Sequence, residues 1–166
     1  YFDQGMYSWN HLAGAAMERY GADRLTIPVE LNEREIRDSG VQGEMIVYGY
    51  LPMMISAQCI RKTTLGCSGK PEIMWLKDRK DMRFPVVNQC RFCYNTIYNS
   101  APLSLLGLSE QVTELKPNAV RLNFTVEEPA AAGEILDAFF EEYGMSEKAA
   151  EPPVLRNQFT RGHFKR

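Results

Sequence analysis

Apolar positions recur at helical spacing over residues 8–20, where Trp9, Leu12, Ala13, Ala16 and Tyr20 share one face. Ser8 or Asn10 suits the start of this helix, because a short side-chain oxygen accepts from orphan amides. Gly21 suits its end, because glycine takes the left-handed conformation cheaply. Residues 24–29 (RLTIPV) predict a short strand. A second short helix is predicted over 31–40: Asn32 caps it, Glu35 sits three residues on, and Gly40 stops it. Residues 44–49 (EMIVYG) predict a strand with little alternation, as expected where both faces are buried.

The same alternation resumes late in the chain. Residues 119–124 (AVRLNF) predict another apolar strand, and Pro129 opens a helix of about fifteen residues. Its inner face is Ile135, Leu136, Phe139, Phe140 and Tyr143, and Gly144 stops it. Helices and strands joined by short loops predict an α/β fold built from parallel βα units. The stretch between differs in character, with Pro52, Pro71, Pro85, Pro102 and all four cysteines. Residues 72–87 predict a hairpin around the polar turn Asp78-Arg79-Lys80-Asp81, and residues 101–115 a short helical stretch. The chain therefore divides into βα units (1–50), a cysteine-rich insertion (51–115), and a final βα unit with a basic tail (116–166). No internal repeat or low-complexity segment is present.

Composition narrows the picture. At 166 residues and 19.0 kDa the chain has the size of one ordinary domain. It is 45% hydrophobic and 24% charged, which argues against disorder. A net charge of −2 makes it no general nucleic-acid binder. Charge is uneven, however: residues 61–91 carry net +5, residues 127–151 net −7, and residues 152–166 four basic side chains and no acidic one. Such runs are mostly solvated or paired faces, and the alternative is a basic rim for phosphate or RNA. No apolar run reaches the roughly 18 residues of a membrane span, and residues 1–30 lack a secretory signal, so a cytoplasmic location is expected. The chain begins at Tyr1 and ends in HFKR, which suggests a piece of a longer protein.

Cys59, Cys67, Cys90 and Cys93 lie within 35 positions, separated by seven, twenty-two and two residues. Cys90-Arg91-Phe92-Cys93 has the spacing of a knuckle in which two thiolates reach one metal. Four thiolates suit tetrahedral zinc or an iron–sulfur cluster, and the neighbouring Arg61, Lys62 and Arg91 would help hold them ionised. Disulfides need an oxidising compartment, and buried free cysteines have no reason to cluster. A shared metal or cluster is the favoured expectation, with zinc and iron–sulfur left open.

The segments PVELNEREI, VYGYLPMMISAQC, LKDRKDMRFPV, CRFCYNTIYNS with PLSLLG, and TRGHFKR resemble, in that order, the collagenase-like peptidase family (unknown-type peptidase family thirty-two). The resemblance runs from about Tyr7 to the end of the chain. It implies a partial TIM-like (β/α) barrel, of which this chain would be the last βα units with a cysteine-bearing β-hairpin insertion. It implies a peptidase, and in some relatives RNA base hydroxylation or oxygen-independent ubiquinone hydroxylation with a four-iron–four-sulfur cluster. The ligands of that cluster map onto Cys59, Cys67, Cys90 and Cys93. A zinc-stapled structural module without its own activity is the non-enzymatic alternative.

Proteolysis finds no support in the motifs themselves. There is no G-x-S-x-G and no H-E-x-x-H, and neither His11 nor His163 neighbours a nucleophile. Barrel logic places active sites where strands end and helices begin. That nominates Glu30 after LTIPV, Tyr48 at the end of EMIVY and Glu127 after VRLNF, directed into one pocket, with Arg79 and Arg161 as anion clamps. The competing account of both glutamates is ordinary: a carboxylate just before a helix favours the positive end of its dipole. A part-barrel also leaves strand edges open, so the expected partners are the rest of the parent chain, a peptide or RNA substrate, or a second copy of the piece.

Overall fold

A computed structural model describes residues 1–145 and 158–165. They form a mixed α/β protein with five α-helices and two sheets. After a single 3-10 turn at Gln4–Met6, α1 (His11–Arg19) is capped by Asn10, whose Oδ1 accepts from the Ala13 amide at 3.0 Å. α2 (Glu33–Ser39) carries the expected reciprocal cap. Asn32 Oδ1 accepts from the Glu35 amide at 2.9 Å, and Glu35 Oε2 accepts from the Asn32 amide at 2.8 Å. Then follow β1 (Glu44–Gly49), β2 (Pro52–Ser56), α3 (Ile60–Leu65), β3 (Ile73–Lys77), β4 (Arg83–Gln89), β5 (Tyr94–Tyr98), β6 (Leu103–Ser104), α4 (Ser109–Glu114), β7 (Ala119–Asn123) and α5 (Pro129–Glu142).

The first sheet has the order β6-β1-β7, with β1 parallel to β7 and antiparallel to β6. Glu44 at the start of β1 bridges Thr26 on the side away from β7, so one edge of β1 is shared by Thr26 and, further along, β6. Between Ile46 and Tyr48 the register against β7 slips, leaving Val47 as an extra residue. β1 ends at Gly49, with φ 150° and no room for a side chain: a Cβ would lie 2.5 Å from the Asn123 carbonyl oxygen. The core is built on this layer. Met45, Ile46, Val47 and Tyr48 pack with Ile27, Leu31, Ile36, Leu103, Leu105 and Val112, and with Ile135 and Phe139 of α5.

The second sheet is wholly antiparallel, in the order β2-β5-β4-β3. The expected hairpin over 72–87 is present as β3 and β4, but it is half of a four-stranded sheet. Further observations differ from the expectations or choose among them. Residues 24–29 form single bridges at Leu25 and Thr26 rather than a strand, since Pro28 has no N–H to donate. α1 starts at His11 because Asn10, not Ser8, caps it. Residues 101–115 split into β6 and α4. Finally, the faces expected to be left open are closed only in part: both edges of β1 are paired and Leu25, Ile27 and Met45 to Tyr48 are buried, while β7 stays an edge strand with no buried residue.

The segment 158–165 is stitched onto the first sheet. Leu103 bridges Thr160, with the Ser104 amide donating to the Thr160 carbonyl at 2.9 Å, and Phe164 is buried. Glu147 and Glu151 of the acidic run, and Arg156 and Arg166 of the basic tail, lie outside the described residues.

Candidate metal centre

The turn joining β4 to β5 is Cys90-Arg91-Phe92-Cys93, and Cys93 takes the left-handed conformation (φ 56°) that closes it. Cys59 stands at the N-cap of α3, where its Sγ accepts from the Lys62 amide at 3.4 Å. Cys67 follows α3 in a loop that turns at Gly66 and Gly69, both at positive φ. These elements bring all four cysteines to the wall of one pocket of about 430 Å³, with Lys62, Asn88, Gln89 and Tyr94 among its other residues. None of the four forms a disulfide, and none is fully buried. Partial burial pushes the Cys90 thiol up, and the charges of Cys67, Cys59, Cys93 and Glu72 around it push it further.

Closeness is not ligation. Among the described residues no group of three or more His, Cys, Asp or Glu side chains is arranged to hold a metal ion. A single tetrahedral zinc at about 2.3 Å from each sulfur would need the four to meet at nearly one point. Here the four cysteines line one pocket without meeting at a point. The Cys90 thiol is turned to the Lys70 carbonyl at 2.9 Å.

Two asparagines that the motif search passed over hold the pocket together. Asn88 and Asn95 face each other across β4 and β5, both buried. Asn95 Nδ2 donates to the Gln58 carbonyl at 2.6 Å, which pins the chain just before Cys59. Asn88 Oδ1 accepts from the Glu72 amide, which pins the loop that follows Cys67. The signal available in sequence was a polar residue in each of two otherwise β-forming runs, FPVVNQ and YNTIY. With its Oδ1 taken, Asn88 Nδ2 remains a buried donor with no partner, on a residue that lines the cysteine pocket. An unpaired buried donor is costly, and a thiolate or sulfide in the pocket would supply its acceptor. Four thiols are by their chemistry soft ligands, but among the described residues they are not arranged around a metal ion.

Of the three basic neighbours, only Lys62 lines the pocket. Arg61 is tied to Glu72 at 3.0 Å and to the Gly66 carbonyl at 2.8 Å, so it braces the loop between Cys59 and Cys67. Arg91 lies over the Phe92 ring, 5.4 Å from its centre.

The acidic candidates are separated. Glu30 lines a different pocket, together with His163. Glu127 sits after β7 among tyrosines. Burial, then the Glu127 charge, raises the phenols of Tyr48 and Tyr50, and the same burial with Tyr94 and Glu127 raises Tyr98. Glu127 Oε2 accepts from the amides of Thr125 at 2.6 Å and Val126 at 3.0 Å. The Glu127 charge thus acts on Tyr48 and Tyr50, and Glu127 is not among the residues that line the Glu30 pocket. Arg79 stands in the exposed turn between β3 and β4 and does not line the Glu30 pocket. Arg161 donates through Nη1 to the carbonyls of Ser104 at 2.8 Å and Leu106 at 2.6 Å, and burial lowers its pKa. It serves to fasten the C-terminal segment to β6 rather than to stand open as an anion clamp. Neither His11 nor His163 hydrogen-bonds a serine, threonine or cysteine among the described residues.

No family model matches the chain, and neither a curated protein nor a solved structure matches it. Among the described residues no helix is long and apolar enough to cross a membrane.

Proposed function

We propose that this chain is the cysteine-bearing part of a collagenase-like peptidase-family protein and that Cys59, Cys67, Cys90 and Cys93 hold a four-iron–four-sulfur cluster. The observation that carries the reading is the single pocket lined by all four cysteines, with the orphaned Asn88 donor beside them. A cluster is several ångströms across and keeps its sulfur ligands apart, which suits four cysteines lining one pocket better than one zinc ion does. When bound, such a cluster supplies one-electron chemistry, and this favours hydroxylation of RNA or a small aromatic over peptide hydrolysis. The chain's own residues would do the rest. Cys59 and Cys67 flank α3, Cys90 and Cys93 close the β4–β5 turn, Asn88 donates toward sulfur, and Asn95 and Arg61 hold the two loops in place. The parallel pairing of Thr26, β1 and β7, with α2 and α5 between and after, supports the view that the first sheet is the last part of a TIM-like barrel.

The test is anaerobic purification followed by visible absorption and iron, sulfide and zinc analysis. A broad brown absorbance with iron and acid-labile sulfide in equal amounts is expected, lost in Cys93→Ser. Stoichiometric zinc without iron under strict anaerobiosis would establish the zinc-stapled module instead.

A further inference from the structure

A second pocket, of about 610 Å³, lies where the strands of the first sheet finish. Val29 and Glu30 follow the bridging residues Leu25 and Thr26, and Leu51 follows β1, so all three reach its wall. In open α/β layers this end of the strands is where ligands bind. The size is that of a small-molecule site. Most of the wall is apolar: Val29, Leu51 and the β2 residues Pro52 to Ile55. Met53 and Met54 are unbranched thioethers that adapt to an irregular ligand.

The polar part of the wall has one sign. Glu30 has no ion-pair partner among the described residues, and no lysine or arginine lines the pocket. Gln4 lies on the same wall, but its Oε1 is buried and offers the pocket no surface. A carboxylate without an ion-pair partner on a mostly apolar wall calls for a ligand that brings N–H groups and positive charge. An anion would be desolvated against a carboxylate with nothing to compensate it. His163 completes the wall and can accept or donate.

We propose that this pocket binds a primary ammonium carried on an apolar body, with the ammonium donating to Glu30 and the body lying along Met53 and Met54. None of the four cysteines lines this pocket, so it stands whether or not they hold a metal centre.

The test uses the whole chain with its methionine methyl groups labelled with carbon-13, titrated with 4-phenylbutylamine, 4-phenylbutan-1-ol and 4-phenylbutyrate near neutral pH. The amine is expected to shift the Met53 and Met54 signals with millimolar affinity, the range of a fragment-sized ligand. The alcohol should bind about tenfold more weakly, as expected for loss of a charge-assisted hydrogen bond, and the acid not measurably. Glu30→Gln should bring the amine to the alcohol's affinity. The variant should keep the wild-type circular dichroism. Binding of the acid as tight as the amine, an amine affinity indifferent to Glu30→Gln, shifts confined to other methionines, or no binding of the amine would each overturn the proposal.

Discussion

β1 and β2 are neighbours in sequence and near twins in hydropathy, yet they live in opposite surroundings. Met45, Ile46 and Val47 of β1 are at most 3% exposed, whereas Met53, Met54 and Ile55 of β2 are 64%, 59% and 70% exposed. One strand is central in its sheet and covered by α5 and by residues 103–112. The other is an edge strand with no layer laid against it among the described residues. An apolar run reports that a segment can be buried, and the rest of the chain decides whether it is. Stability of this protein therefore belongs to the first sheet, while the second holds the cysteine pocket and lends a wall to the ammonium pocket.

That division is broken most directly by placing the same charge in both strands. Val47→Asp would put a carboxylate with no partner at a fully buried position, a loss of several kcal/mol that should leave the chain unfolded. Met54→Asp should change stability by no more than about 0.5 kcal/mol. Urea denaturation followed by circular dichroism reads both, and equal losses would show that the second sheet carries as much of the fold as the first.

Gly49→Ala tests the end of β1. The new methyl would meet the Asn123 carbonyl in a backbone conformation that side chains rarely adopt, at a cost of about 2 kcal/mol. A midpoint unchanged from wild type would mean that β1 and β7 can move apart freely there.

In the second sheet, Asn95→Ala removes the bond to the Gln58 carbonyl and frees the chain before Cys59. The expected loss is about 1–2 kcal/mol, together with faster release of iron from anaerobic protein. Stability lost without faster iron release would separate the packing role of Asn95 from the pocket.

The smallest effect is at the edge of the first sheet, where Arg121 meets Asp3 at 2.6 Å and Glu44 at 2.8 Å. Burial works against the Asp3 carboxylate, but the hydrogen bond from Arg121, the Gln4 amide and the arginine charge outweigh it and hold its pKa below the usual carboxylate range. A depressed folded pKa contributes stability above the unfolded pKa and loses it as pH falls through the folded value. The urea midpoint should therefore drop between about pH 5 and pH 2, by slightly less in Asp3→Asn, because the Asp3 carboxylate is largely solvated. An identical acid limb in wild type and variant would remove the pair from the account.

Much of this was legible in the sequence where the signal is local. The Asn32–Glu35 cap, the Pro129 start of α5 and the burial of Ile135 and Phe139 follow from rules that span a few residues. α1 shows where such rules stop. Its predicted apolar face holds Trp9, Leu12 and Tyr20, all exposed, and the residue facing inward is Gly14, packed beside Val41 and Leu25. A glycine lets a helix approach closely, and a hydropathy pattern gives it no weight. The cysteines were conspicuous because they cluster. Asn88 and Asn95 were not, since a buried amide declares itself only through the loop it holds. The parting of Glu30 from Glu127 depends on which loop crosses which strand end, and no local pattern contains that.

The second sheet leaves and rejoins the first through adjacent strands. Pro52 at the start of β2 is paired with Tyr98 at the end of β5, and the Asn99 amide donates to the Leu51 carbonyl at 2.9 Å. The two ends of the excursion are thus held about one strand spacing apart, roughly 4.8 Å. A tight turn could bridge that gap, so residues 52–98 have the form of a cassette, one that a gene could gain or shed in a single event without disturbing its host. The same shape makes the cysteine sheet transplantable: spliced into a hairpin loop of an unrelated scaffold, it would carry its four thiols and both anchoring asparagines with it.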